Sequence, residues 1–366
     1  MHHTVLAAVA LVTAAFSHGY AAQLRTIQWD RSSLVLVARP GSYGRMVRVD
    51  DRTILCLFTR GRGVCITRSG DEGRTWSEPV EAVTSTVGNA TNGELLRLAD
   101  GVILLLTNER PKDGKSPYAI QVQRSRDQGR TWSKPQVVYR AGTAWGDGCW
   151  EPAAIQSLNG EVQLFFANEN PYRTSKEQEI TLLRSVDGGK TWGRPETISF
   201  RKGHRDGMPV PLVLRDGKGT VVAIEDNGMR GRMKPVIVHT SVQANWRGGA
   251  VGGDSPRRWS ALKRPLAPKV TAGAPYIRQF PSGGTVLSCQ SEEGGGSLRM
   301  VVYVGDANAR NFAGKTVPFP TTPGKSAMWN ALFIKGPRIV TAISGTTING
   351  VSGLWAIDGE LSAGTP

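Results

Sequence analysis

The stretch SGDEGRTW at residues 69–76 decides the fold, because it returns as SRDQGRTW at 125–132 and as SVDGGKTW at 185–192. Its aspartates, Asp71, Asp127 and Asp187, lie 56 and 60 residues apart. Self-similarity at a long fixed period marks an array of supersecondary units. Each copy follows a β-rich run, GVCITR, AIQVQR or EITLLR, and leads through WSEP, WSKP or WGRP into another extended stretch. The box is therefore expected to be a turn between two strands. Asp accepts backbone N–H groups inside its own turn, and Gly adopts conformations other residues resist. The Trp is large and apolar and is expected to pack between units.

A second repeat runs between the boxes. Six segments read as strand, tight turn, strand: 44–58, 93–107, 152–166, 209–225, 275–289 and 330–344. Their DG, NG and SGG turns are strong hairpin signals. Six hairpins, each followed by a further strand pair, predict an all-β chain forming a six-bladed β-propeller with Asp-box turns. Degenerate boxes, SVQANW at 241–246 and GDANARNF at 305–312, stand where the period expects them. The extended segment 24–38 is expected to close the last blade, leaving no exposed sheet edge. Boxes of the form S-x-D-x-G-x-T-W at this spacing resemble those of the sialidase superfamily of six-bladed propellers. Such a resemblance is specific for fold and much less so for substrate.

The chain has 366 residues, long enough for a propeller as one unit. An apolar run from Val5 to Phe16, followed by small residues at Gly19 and Ala21, predicts a cleavable leader over 1–22 and a single propeller domain over 23–366. That implies a secreted or periplasmic protein. No later run is long and apolar enough to span a bilayer. Four cysteines occur without C-x-x-C spacing, which argues against a zinc or thioredoxin-type site. If Arg60-Gly61 is a hairpin turn, Cys56 and Cys65 sit opposite each other, either as a disulfide or as two buried thiols. The net charge of +15 is scattered rather than clustered, so no dedicated nucleic-acid site is expected. No cluster of metal-ligand spacing appears, and no metal or other cofactor is implied. Oligomeric state is not encoded in these patterns.

Topology then selects a rim. The box joins the third and fourth strands of a blade on the same rim as the DG turns. Starts of first strands and ends of second strands meet on the opposite rim, near the axis. First-strand starts there include Tyr43, Arg45, Asn92, Glu151, Met208, Ala274, Trp329 and Asn330. Second-strand ends supply Glu109, Glu169, Glu225 and Glu292, and loops add Arg110, Tyr118, Trp145, Tyr172, His204, Arg205 and Asp206. Carboxylates do acid–base and glycosyl-transfer chemistry, and arginines bind acidic groups. Aromatic faces stack on sugar rings. Glu151 in GCWEPAA and Glu225 at the end of TVVAIE stand out, since both are expected to be partly desolvated. Glu109, Glu169 and Glu292 read as salt-bridged rim glutamates.

The superfamily resemblance implies more at particular positions. A sialidase has a Tyr nucleophile at the start of the last blade; the matching stretch AMWNALFIKG carries Trp329 there. WEP at 150–152, RDGMPV at 205–210 running to Glu225, GAPYIRQFPSG at 273–283 and MWNALF at 328–333 look like glycoside hydrolase family 93, whose members are exo-acting α-L-arabinanases. That resemblance implies Glu225 as nucleophile and Glu151 as acid/base, or the reverse, with retention of configuration. Substrate would meet Tyr43, Arg45, Asn92, Tyr118, Trp150, Tyr172, Arg205, Asp206, Tyr276, Trp329 and Asn330. Two other readings stay open. One is an exo-α-sialidase or sialidase-like enzyme, clamping an acidic sugar with Arg45 and Arg205, Arg230 or Arg278. The other is a glycan-binding propeller without chemistry.

Overall fold

A computed structural model describes residues 25–229, 231–293 and 296–363. The predicted leader lies outside the described residues, as does Arg230. Six antiparallel sheets follow one another along the chain. The first blade is built from Ser42–Arg48, Ile54–Arg60, Gly63–Ser69 and Val80–Thr84, in that order outward from the axis. Four more four-stranded blades repeat the pattern, with inner strands Gly88–Arg97, Cys149–Gln156, His204–Val213 and Ala272–Gln279. The sixth blade holds Met328–Ile334, Ile339–Ile348 and Val351–Leu361, and N-terminal strands complete it. Ile27–Trp29 and Val35–Ala38 both pair with Val351–Leu361. The ring is thus closed by joining the two ends of the chain, as the extended segment 24–38 suggested.

The boxes do what their chemistry dictates. Asp127 Oδ1 accepts the backbone N–H groups of Arg130 at 3.1 Å and Thr131 at 2.9 Å, while Oδ2 accepts the Thr131 hydroxyl at 2.5 Å. Asp71 and Asp187 make the same bonds. These donors hold the Asp71 carboxyl down at about 2 and those of Asp127 and Asp187 well below the usual carboxylate range. The glycine of the box is a contact residue as well as a turn residue. A Cβ on Gly129 would lie 2.6 Å from Leu55 of the preceding blade, and φ there is +79°. The arginine before each box ties blades together: Arg68 donates to the Gln128 carbonyl at 2.7 Å, and Arg184 to that of Asn245 at 2.8 Å. The degenerate box at 305–312 keeps its aspartate, since Asp306 accepts the N–H groups of Asn308 and Arg310.

The cysteine pair is not a disulfide. Cys56 pairs in register with Thr67, and Cys65 with Phe58, so the two are diagonal rather than opposite. Diagonal positions lie about 7–8 Å apart, beyond the usual Cα span of a disulfide. Both are free thiols, and burial pushes the Cys65 thiol up.

Candidate active site

One feature recurs at the start of every inner strand. Tyr43, Asn92, Glu151, Met208, Ala274 and Trp329 all have φ between +47° and +58°. At each, the pairing with the second strand slips, giving one β-bulge per blade. A left-handed conformation strains a non-glycine residue by about 1–3 kcal/mol, yet none of the six is glycine. The bulge turns their side chains toward the axis, where they line or close the mouth of the channel. Tyr43, Met208 and Ala274 form a small buried cluster of their own, drawn from three different blades.

The Glu151 side chain is 18% exposed. Arg110 approaches its carboxylate at 3.4 Å. Burial raises the Glu151 pKa to about 7; the charges of Glu225 and Glu169 add to the rise, and Arg110 and Arg205 oppose it. Glu225 comes from the second strand of the next blade, Gly219–Gly228. Burial raises its pKa too, opposed by a 2.7 Å hydrogen bond from the Ala274 backbone N–H and by Arg205. Arg205 is held by Glu169, by Gln178 at 3.0 Å and by the Lys176 carbonyl at 2.8 Å. Two glycines make room for the Glu225 carboxylate. A Cβ on Gly273 would lie 2.7 Å from its Oε2, and one on Gly207 would lie 3.2 Å from its Oε1.

An aromatic wall flanks Glu151. Trp150 packs on Tyr118 with centroids 5.0 Å apart and on Trp145 at 4.7 Å. Arg110 lies over the Trp150 ring at 4.8 Å. Tyr118 and Trp150 are buried, whereas Trp145 is 65% exposed. Gly148 allows this packing, because a Cβ there would lie 2.2 Å from the Trp150 indole. Trp329, 38% exposed, stands beside Tyr43 with centroids 6.2 Å apart. Asn92 is buried next to the Tyr43 hydroxyl.

Five residues expected to meet substrate lie elsewhere. Arg45 is only 2% exposed and sits inside the channel beneath Tyr43, donating to the Gly44 and Trp329 carbonyls. Tyr276 is buried in the same channel, its hydroxyl 3.0 Å from Glu94. Both follow a bulge, which reverses which residues point to the rim. Asp206 is fully buried on the other face of its strand, in a two-pronged ion pair with Arg258 at 2.7 and 2.8 Å. Tyr172 is stacked on Phe200 at 4.7 Å and donates to Glu179. Asn330 is buried and accepts the Ser344 hydroxyl at 2.8 Å. Conversely, sequence reasoning gave no substrate role to Arg110 or Trp145, although both were placed on this rim. The roles of Gly207, Gly273 and the Ala274 N–H depend on contacts between strands and carry no local signal.

The described residues contain no cluster of His, Cys, Asp and Glu arranged to hold a metal ion. Two partly desolvated carboxyls, two arginines and an aromatic wall suit acid–base and nucleophilic work on a neutral, hydroxyl-rich substrate.

Solved structures share this architecture. A glycoside hydrolase family 93 α-L-arabinofuranosidase of Fusarium graminearum, in complex with arabinobiose, superposes with a TM-score of 0.67 at 18% identity, covering 92% of this chain and 97% of its own. A Penicillium chrysogenum α-L-arabinanase, also with arabinobiose, gives 0.66 at 18%, covering 93% and 98%. A Trypanosoma rangeli sialidase gives 0.60 at 13%, covering 91% of this chain and 58% of that one. At such identities the likeness establishes the six-bladed propeller fold shared with these glycoside hydrolases. No curated protein matches the chain in sequence at a significant level. Residues 109–313, more than half of the chain, match the BNR repeat-like domain, and the chain belongs to that family.

Proposed function

We propose that this protein is a glycoside hydrolase that removes sugar from the end of an arabinan-like polysaccharide or oligosaccharide, using Glu151 and Glu225. The observation that carries the reading is that neighbouring blades present these two half-buried carboxyls, Glu225 seated against Gly207, Gly273 and the Ala274 N–H and Glu151 beside Arg110. In the first step Glu225 attacks the anomeric carbon, the glycosidic bond breaks, and Glu151 gives its proton to the departing oxygen. In the second, Glu151 takes a proton from water, which displaces Glu225 and releases a sugar of retained configuration. The assignment follows the environments. A carboxyl with a pKa near 7 still holds a proton in weakly acidic solution, as a general acid must. Glu225 has a backbone N–H that favours its anion. A family 93 arabinofuranosidase and an arabinanase, both with this fold and both in complex with arabinobiose, support the choice of sugar. The apolar run of residues 5–16, within the leader expected over 1–22, supports action outside the cytoplasm.

The sialidase reading draws less support. Of its four candidate arginines, Arg45 is buried against Glu94, and Arg278 lines a cavity that includes neither Glu151 nor Glu225. Incubation with linear α-1,5-arabino-oligosaccharides and, separately, with a sialoside tests the proposal. Release of arabinose or arabinobiose is the expected result. Sialic acid release, or turnover of neither substrate, would overturn it.

A further inference from the structure

The axial channel contains more positive charge than its walls compensate. Glu94 is its buried carboxylate, and it serves several donors at once: Arg45 Nε at 3.5 Å, the Tyr276 hydroxyl at 3.0 Å and the Leu95 N–H at 3.0 Å. Arg278 lies one step further from the candidate active site. Its guanidinium covers the Tyr276 ring at 4.2 Å, donates to the Tyr276 hydroxyl and to the Ile277 carbonyl at 2.8 Å, and meets no carboxylate among the described residues. Glu94 thus pairs with Arg45, and the half-buried Arg278 is left without an ion-pair partner among the described residues.

Arg278 faces a cavity of about 380 Å³ at the box-side end of the channel. Inner strands of four blades line it, with Ala153, Ile155, Val210 and Leu212 as apolar walls and Glu94, already engaged by Arg45 and Tyr276, among the lining residues. Arg97 adds a second guanidinium at the mouth, also outside any ion pair among the described residues. A pocket of this volume with few convergent polar groups has the size of a small-ligand site. Guanidinium groups bind oxyanions through paired, charge-assisted hydrogen bonds.

We propose that this cavity is a second ligand site, lined by neither Glu151 nor Glu225, that takes a small oxyanion: a phosphate, or the carboxylate of an acidic monosaccharide. The ligand pairs with Arg278, which makes no ion pair among the described residues. The walls fit the body of a single sugar ring, so the two sources differ in what else they contact.

Calorimetric titration of the full-length protein with inorganic phosphate and, separately, with glucuronate tests this, in a buffer free of other oxyanions. One site per chain is expected for at least one probe. Tighter binding of glucuronate would identify the sugar acid as the source, and tighter binding of phosphate the inorganic anion. Arg278→Gln is expected to weaken binding about tenfold or more. Arg97→Gln, at an exposed position that does not threaten folding, is expected to weaken it in the same direction. Absence of binding by both probes, or equal binding by wild type and Arg97→Gln together with a folded Arg278→Gln, would overturn the proposal. Binding is read without turnover, so its failure is distinct from failure of the hydrolase reading.

Discussion

The Glu225 carboxylate accepts a 2.7 Å hydrogen bond from the backbone N–H of Ala274, the left-handed residue that opens the inner strand of the next blade. The bulge that gives Ala274 its φ of +47° also aims its N–H at the carboxylate. One device of the fold, repeated in all six blades, therefore positions the Glu225 carboxylate of the fourth blade from the fifth.

That arrangement leaves no spare volume. Gly273→Ala would put a Cβ 2.7 Å from both Glu225 Oε2 and the Met233 sulfur. The carboxylate must shift, and displacement of a catalytic group by about 1 Å costs about 100-fold in rate. The expected outcome is a kcat lower by about that factor with an unchanged circular dichroism spectrum. Steady-state kinetics on an arabino-oligosaccharide would check it.

Glu151 links activity and stability to pH. Its folded pKa, about 7, lies above the ordinary 4.5. The folded state therefore binds the proton more tightly than the unfolded state. The protein bears no cost below pH 4.5, a growing one as pH rises past 4.5, and the full one above about 7. Glu151→Gln removes the charge and is expected to raise stability by about 1–3 kcal/mol at pH 8. The advantage should vanish near pH 4.5. Denaturant titration at both pH values checks this. Activity of the wild type is expected to fall as pH rises through about 7, because the general acid is lost.

The Asp-boxes support structure and leave chemistry alone. Asp127→Ala abolishes the bonds to Arg130, Thr131 and Ser125. A Tm lower by about 3 °C or more is expected, with kcat unchanged at temperatures where the variant is folded. A thermal melt beside a rate measurement separates the two effects. A large loss of kcat in folded protein would give the box a role this account denies it.

Trp145 offers an exposed indole beside Trp150 and Glu151. Trp145→Ala is expected to raise KM for an arabinotriose or longer chain about three- to tenfold. The change in kcat should be small, because stacking binds ground and transition states alike. Kinetics on a chain-length series checks it.

The fold was legible because its signals are local and repeated. Three Asp-boxes and six hairpins each carry their own turn chemistry, and the topology they imply selected the rim where Glu151 and Glu225 meet. Errors arose at the bulges. Alternation along a strand assumes a period of 2, and one bulge reverses which side chains face the rim. That is why Arg45 and Tyr276 were expected in the cleft and lie in the channel. Asp206 was misplaced for a related reason. It stands one residue from Gly207 on the opposite face, and its partner Arg258 is 52 residues away in sequence. The cysteine register failed by two residues, because the turn after Arg60 is set by the Arg60–Gly63 pair rather than centred on Gly61.

The most direct test of the central claim is hydrolysis of α-1,5-arabinotriose by the wild type, Glu151→Gln, Glu225→Gln and the double variant, all checked for folding. The account predicts turnover by the wild type. It predicts a loss of about 100- to 10,000-fold in each single variant, and a double variant little worse than the weaker single one. Activity within about threefold of wild type in either single variant, at a pH where Glu151 is protonated, would contradict it.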